Sequence, residues 1–160
     1  MSWAQTLKIN SNMRKPIDKM NYELFYALAI IQNGGYGSRT SNVIIVPEYK
    51  SKIANNEYAQ YDMNVLILPQ TTTDIGSGSF SSCAELSFVM LPNGLEYIGG
   101  NAFASCSSLK SIRLPASIKN ISTLAFSDCS NLTDIFVSFN EGEIEGAPWG
   151  ATNATIHYNS

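Results

Sequence analysis

The sequence has few charges and a single histidine, and both shortages narrow the classes of protein that it can represent. Charged side chains make up 14% of the 160 residues, whereas hydrophobic side chains make up 44%. A chain with this balance is expected to fold rather than to stay disordered. Its net charge of −3 provides no excess of basic groups for nucleic acid. The length favours one domain.

The sequence also lacks a hydrophobic run long enough to cross a membrane. Its densest apolar stretch, Leu24 to Ile31, has eight residues, whereas a membrane helix needs about 20. Asp18 and Glu23 precede that stretch, and no small-residue cleavage site follows a basic amino end. The stretch is therefore a poor secretory signal. We expect neither membrane insertion nor a signal peptide in this sequence.

Cysteine is scarce, and its spacing is informative. The three cysteines, Cys83, Cys106 and Cys129, follow one another at a constant interval. An odd count does not suit a disulfide framework, and the absence of paired C-x-x-C motifs argues against zinc. Equal spacing instead predicts one structural position that is repeated three times. We expect these thiols to be buried, with a redox pair between adjacent repeats as the alternative.

The same period recurs at the apolar positions around the cysteines. The repeated sets are Ile75, Ile98 and Ile121; Phe80, Phe103 and Phe126; Leu86, Leu109 and Leu132; Val89, Ile112 and Ile135; and Leu91, Leu114 and Val137. One such unit cannot bury its apolar side chains alone, so neighbouring units must stack to form a core. We expect the phenylalanines to form an aromatic ladder that continues to Trp149.

Prolines extend the repeat towards the amino end. Pro47, Pro69, Pro92 and Pro115 recur at almost the same interval as the cysteines, and each follows a strand-like run. Two further runs, at 135–137 and 155–158, bring the number of strands to six. Each unit is predicted to contain a short strand, a turn at proline and a helical turn around the Phe-x-x-Cys segment. The predicted fold class is an α/β repeat, a right-handed solenoid with about six short parallel strands and an amino-terminal helix.

The repeat resembles the BspA-like leucine-rich repeat family. The unit at 98–120 is the best match, and the resemblance extends over about residues 43–160. The matching residues of that unit are Ala102, Phe103, Cys106, Leu109, Ile112, Leu114, Pro115, Ser117 and Ile118. The resemblance implies a non-catalytic scaffold that binds a protein or cell-surface ligand, commonly on bacterial surfaces. Tyr58, Tyr61 and Ser138 depart from the pattern, which predicts distorted units at both ends.

Residues 1–42 do not join the repeat. Pro16 is favourable at a helix start, Asn33 and Gly34 are typical of a helix end, and the apolar spacing between them predicts a helix over 16–32 followed by a linker over 34–42. The candidate docking residues of this helix are Leu24, Phe25, Leu28 and Ile31. The helix either caps or covers the solenoid, or it associates with another chain. Residues 9–20 also resemble the opening of phage tail and fibre proteins.

Residues that could perform chemistry are scarce. A stacked row of cysteines cannot surround an ion, and His157 is more typical of a solvated or capping histidine than of a catalytic base. Alternate acidic residues at Glu141, Glu143 and Glu145 are typical of a solvated loop. We therefore predict no catalytic residue, no metal site and no cofactor.

A row of outward-facing strand residues is the remaining candidate for a functional site. Alternation along each strand places one row of side chains on the face opposite the core, and this row contains Ile45, Ile67, Met90, Arg113, Phe136 and His157. The candidate binding face consists of Phe88, Met90, Arg113, Asp134 and Phe136. The amino-terminal helix either covers this face or leaves it open, and we expect Met90, Arg113 and Phe136 to be open. The chain is then a binding module or, alternatively, a self-assembling structural subunit that forms homo-oligomers through its helix.

Overall fold

The computed structural model describes residues 43–159 and contains ten short strands. They are β1 (Val43–Ile45), β2 (Lys52–Ile53), β3 (Val65–Ile67), β4 (Asp74–Ile75), β5 (Phe88–Met90), β6 (Tyr97–Ile98), β7 (Ser111–Leu114), β8 (Asn120–Ile121), β9 (Asp134–Val137) and β10 (Thr155–His157). The predicted helix at 16–32, with Leu24, Phe25, Leu28 and Ile31, and the linker at 34–42 lie outside the described residues. Within 43–159 there is no helix long and apolar enough to span a membrane.

Six of the strands run parallel and form one side of the solenoid. Strands β1, β3 and β5 make one three-stranded sheet, and β7, β9 and β10 make another. Ile44, Leu66 and Val89 share a register in the first sheet, as Ile112 and Ile135 do in the second. The predicted set of six parallel strands is therefore confirmed. The division of the sheet between β5 and β7 had no signal in the sequence, and the right-handed sense of the coil stays a prediction.

A second side of the coil is a narrow sheet that the sequence analysis did not predict as strands. Strands β2, β4, β6 and β8 are two residues long and pair in that order. Each ends on a buried isoleucine, and these residues are Ile53 and the predicted repeat positions Ile75, Ile98 and Ile121. Two-residue strands are too short to show an alternating pattern, so spacing alone could not identify them.

The prolines end the strands by the predicted mechanism. The carbonyl group of each proline accepts a hydrogen bond from the N–H three residues later, as in Pro92 and Leu95 at 3.2 Å. Because proline has no N–H, it cannot extend the strand ladder. Ser138 stands where the next proline would be, and its N–H donates to the Leu114 carbonyl at 3.1 Å. Serine therefore extends the ladder at this position. In the described residues, the repeat that follows Ser138 contains no two-residue strand like β2, β4, β6 and β8, which agrees with the expected distortion of the last unit.

The Phe-x-x-Cys segments are turns, so the predicted helical turn is wrong. The residue before each cysteine has a positive φ, between 58° and 59° at Ser82, Ser105 and Asp128. A right-handed helix cannot continue through this left-handed conformation. The segments instead form hydrogen bonds between repeats, such as Phe80 N–H to Ala102 O at 2.8 Å. These bonds make the third side of the coil.

The aromatic ladder is present, although its two ends differ from the prediction. Phe80, Phe103 and Phe126 stack with ring centroids 5.3 and 5.7 Å apart. Tyr58 continues the stack at 5.5 Å from Phe80, so the first repeat keeps the pattern that we expected it to lose. Trp149 is buried but meets Phe139 edge-on at 6.2 Å instead of extending the stack.

The cysteines form the predicted buried row of free thiols. Each Sγ lies near the backbone oxygen of the aromatic residue one repeat earlier: Cys83 is 3.2 Å from Tyr58 O, Cys106 is 3.3 Å from Phe80 O, and Cys129 is 3.0 Å from Phe103 O. A thiol is small and a weak donor, so it fills the core while it satisfies a carbonyl group. This role explains the cysteine in each of these three repeats without a redox pair.

The cysteines should therefore react slowly with alkylating reagents in the native protein. Burial raises the pKa of Cys83, and the hydrogen bond with Cys129 together with burial raises the pKa of Cys106. Because the thiolate is the reactive form, both effects slow alkylation. The same hydrogen bond lowers the pKa of Cys129, but Cys129 is only 4% exposed and a reagent cannot reach it.

Thiol titration measures this protection. It should find all three cysteines only after denaturant is added, since unfolding exposes each thiol to the reagent. Rapid labelling of Cys106 in the native protein would contradict its placement in the core.

Candidate functional site

The face of the strands opposite the core carries two columns of side chains. Because side chains alternate along a strand, the first and third residues of each strand share this face. One column contains Val43, Val65, Phe88, Ser111, Asp134 and Thr155, and the other contains Ile45, Ile67, Met90, Arg113, Phe136 and His157. The columns change from apolar to polar between β5 and β7, where the sheet also divides.

The apolar half of these columns is buried. We call it the apolar strand face; its members are Val43, Ile45, Val65, Ile67, Phe88 and Met90. None of the six side chains is more than 8% exposed, and none belongs to the hydrophobic core cluster on the other side of the strands. Met90 is only 2% exposed, so the expectation that it lies open is wrong. Phe88 and Met90 therefore do not present their side chains to a partner in this structure.

The polar half brings four side chains into contact. We call it the open strand face; its members are Arg113, Asp134, Phe136 and His157. Phe136 lies on the central strand β9, between Arg113 on β7 and His157 on β10. The Arg113 Cζ atom is 4.8 Å from the centroid of the Phe136 ring, which is within the range of a cation–π contact. The His157 ring stacks on Phe136 with centroids 4.5 Å apart.

A hydrogen bond joins the histidine to the acidic residue of the same face. His157 Nε2 lies 2.7 Å from Asp134 Oδ1, and the Thr133 hydroxyl donates to Asp134 Oδ2 at 2.7 Å. The Asp134 and His157 side chains are each 41% exposed. The pair therefore holds the histidine ring against Phe136 while it leaves polar atoms in contact with solvent.

Arg113 supplies the positive charge of the open strand face. Partial burial lowers the pKa of Arg113 from its ordinary value, but a guanidinium group stays protonated at neutral pH. Within residues 43–159, Arg113 forms no ion pair with a carboxylate. The Phe136 ring holds the guanidinium group of Arg113 in place. The N–H groups of this guanidinium can therefore donate hydrogen bonds to an acceptor on another molecule.

The acidic residues of the segment 141–145 have a structural explanation. Glu143 accepts hydrogen bonds from the Asn140 backbone N–H and side-chain amide, at 3.0 and 2.6 Å, and these bonds lower the pKa of Glu143. The neighbouring Glu141 and Glu145 are exposed, as expected of a solvated loop. In the described range 43–159, no three histidine, cysteine or acidic side chains are grouped to hold a metal ion.

Arg113, Asp134 and Phe136 lie together as predicted, and His157 lies beside them in the predicted outward row, although the candidate binding face did not include it. The predicted face also contained Phe88 and Met90, which the fold places in the buried half. The pairing of His157 with Phe136 across β10 and β9 agrees with that row, although the interval between these two residues is shorter than the one between Arg113 and Phe136.

Comparisons with known proteins agree with this fold. A family described as "BspA type Leucine rich repeat region" matches residues 51–153 with six copies of its repeat. No curated protein sequence matches the chain. The similar solved structures come from bacterial proteins. The family match begins at residue 51, so the resemblance of residues 9–20 to phage tail and fibre proteins stays a prediction.

Solved structures of three bacterial proteins share the architecture. A leucine rich cell surface protein from Faecalibacterium prausnitzii is 24% identical with a TM-score of 0.65, over 75% of this chain and 32% of its own. The pneumococcal vaccine antigen PcpA is 21% identical with a TM-score of 0.61, over 78% of this chain and 32% of its own. A leucine rich repeat protein from T. pallidum is 23% identical with a TM-score of 0.52, over 74% of this chain and 70% of its own.

The first two of these similarities span about a third of the length of the proteins concerned. At such identities they establish the fold alone. The repeat match is stronger, because it covers most of the chain and coincides with the stacked strands, the aromatic ladder and the cysteine row. The chain therefore belongs to the BspA-type leucine-rich repeat family.

Proposed function

We propose that this chain is a non-catalytic recognition module whose open strand face binds a protein ligand. The observation that carries the proposal is the contiguous group of Arg113, Phe136, His157 and Asp134 on a partly exposed sheet surface. Aromatic and arginine side chains are enriched among the residues that dominate binding energies at protein interfaces. Their presence side by side favours recognition of another protein.

The group is also ordered before a ligand arrives. Phe136 is held between Arg113 and His157, and Asp134 holds His157 through a hydrogen bond. Side chains that already occupy one arrangement lose little conformational freedom when they bind. The four residues therefore combine a flat aromatic contact, a guanidinium donor and an acidic acceptor in a surface that needs little rearrangement.

The descriptions of two similar structures support a location on the cell surface, where the open strand face can bind other proteins. One of them is described as a cell surface protein and another as a vaccine antigen. We extend the cell-surface location of the first to this chain as part of the proposal. Adhesion to a host or receptor is one form that this recognition takes.

Replacing Phe136 with alanine should weaken peptide binding by about tenfold or more. The probe is a set of short peptides selected on the immobilised wild-type protein from a displayed random library. Phe136 contacts both Arg113 and His157, so its loss removes the aromatic surface and releases the two neighbours. Dissociation constants for each peptide, measured by fluorescence anisotropy, provide the comparison.

The matched control is Leu124→Ala, because Leu124 is an exposed hydrophobic residue outside the strand face. This variant should bind the selected peptides with unchanged affinity. Thermal melting by circular dichroism should show that both variants stay folded. If the peptides bind the Phe136→Ala protein as tightly as the wild type, the open strand face is not the recognition surface.

A further inference from the structure

We infer, on the basis of the proposed function, that the ligand of the open strand face carries a carboxylate group that pairs with Arg113. The guanidinium group of Arg113 is charged, yet within residues 43–159 it forms no ion pair and no side-chain hydrogen bond. The group that it contacts in this range is the face of the Phe136 ring, whose centroid lies 4.8 Å from Cζ. An aromatic ring attracts the charge but accepts none of the N–H groups at the edge of the guanidinium.

The lysines of the described residues differ from Arg113. Three of them form ion pairs, which are Lys50 with Glu57, Lys52 with Asp74, and Lys119 with Glu96. Lys110 is exposed, and water solvates its compact ammonium group. A guanidinium is more weakly hydrated and presents five donors in a fixed plane. Arg113 therefore has accessible donors that neither a protein acceptor nor strong hydration satisfies.

The acidic residue of the same face does not neutralise Arg113. Asp134 Oδ1 lies 2.7 Å from His157 Nε2, and Asp134 Oδ2 accepts a hydrogen bond from the Thr133 hydroxyl at 2.7 Å. His157 is on β10, whereas Arg113 is on β7, on the other side of the central strand β9. The carboxylate that complements Arg113 must therefore come from another molecule.

A carboxylate is the anionic group that an unmodified protein ligand offers. The planar guanidinium matches the two oxygens of a carboxylate, and the resulting charge-assisted hydrogen bonds are stronger than neutral ones. Because Phe136 already orients Arg113, this pairing costs little conformational freedom. The net charge of the protein is −3, so its overall field does not attract an acidic ligand. Recognition then depends on the local charge of Arg113.

Selection from three random peptide libraries on the wild-type protein tests this inference. The first library contains acidic side chains and is displayed without a free carboxyl end. The second is identical except that Asn and Gln replace Asp and Glu, and the third adds a free carboxyl end to the second. Peptides whose binding requires Phe136 should come from the first library, for a side-chain carboxylate, or from the third, for a terminal one. Equally tight peptides of this kind from the second library would overturn the pairing, whereas the proposed function would stand.

A double-mutant cycle measures the contact itself. Changing the carboxylate of a selected peptide to an amide should weaken its binding to the wild-type protein by about tenfold or more. The same change should alter binding to the Arg113→Gln protein by less than about twofold, because the pairing is already lost. Arg113→Lys keeps the charge but not the planar fork, so it should restore only part of the affinity.

Lys119→Gln is the matched control, because Lys119 is an exposed cation outside the open strand face. This variant should bind the selected peptides with unchanged affinity, and circular dichroism should show that all the variants stay folded. An equal loss in the wild-type and Arg113→Gln proteins would overturn the pairing while binding through Phe136 still supported the proposed function. If no library yields peptides that require Phe136, the proposed function fails and the pairing fails with it.

Discussion

Replacing Phe103 with alanine should lower the free energy of unfolding by about 3–5 kcal/mol. Phe103 is fully buried and lies in the middle of the aromatic ladder, where it stacks on Phe80 at 5.3 Å and on Phe126 at 5.7 Å. Removing the ring leaves a cavity between two repeats and eliminates both stacked contacts. Because each repeat packs only against its neighbours, the loss should weaken the array at its centre.

Urea unfolding followed by circular dichroism measures this effect. Tyr97→Ala is the control for loss of an aromatic side chain at a surface position, since Tyr97 is 43% exposed. It should change the free energy of unfolding by no more than about 0.5 kcal/mol. A similar small change for Phe103→Ala would mean that the ladder does not stabilise the stack.

Replacing Leu109 with alanine should lower the free energy of unfolding by about 2–5 kcal/mol. Leu109 is fully buried in the same core cluster as Leu86 and Leu132, its equivalents in the adjacent repeats. The cost has two parts: the lost transfer of the side chain from water, and the cavity that the rigid neighbours cannot fill. The same unfolding measurement applies.

A matched leucine is available as the control for this substitution. Leu124 is 52% exposed, so Leu124→Ala removes the same atoms without creating a cavity. We expect it to change the free energy of unfolding by less than about 0.5 kcal/mol. If the two variants have equal stability, the repeat register that places Leu109 in the core is incorrect.

The constant period of the repeat was enough to predict the core of this protein. Ile98, Phe103, Cys106, Leu109 and Ile112 were assigned to buried positions from spacing, and all five are buried. A stacked coil brings equivalent residues into contact, so a periodic sequence directly reports which side chains meet. The same logic predicted the parallel strands and the turns after proline.

Local conformation within the repeat was harder to predict. The Phe-x-x-Cys segment looks compatible with a helical turn, but Ser82 and Ser105 adopt positive φ values of 59°. Serine is not strongly selected for this conformation, as glycine would be. Hydrogen bonds between neighbouring repeats stabilise this conformation. These bonds form only when repeats stack, so the sequence of a single segment does not predict them.

For the candidate site, the sequence by itself determined which side chains share the outer strand face, because side chains alternate along a strand whatever surrounds it. Only the tertiary structure decided which of them remain accessible. Met90 and Arg113 occupy equivalent positions in neighbouring repeats, yet Met90 is buried and Arg113 is partly exposed. Burial depends on what packs above a face, and contacts between distant parts of the chain leave no trace in a local period. Alternation likewise placed His157 in the same row as Phe136, but only the pairing of β10 with β9 brings its ring against Phe136 and its Nε2 atom to Asp134.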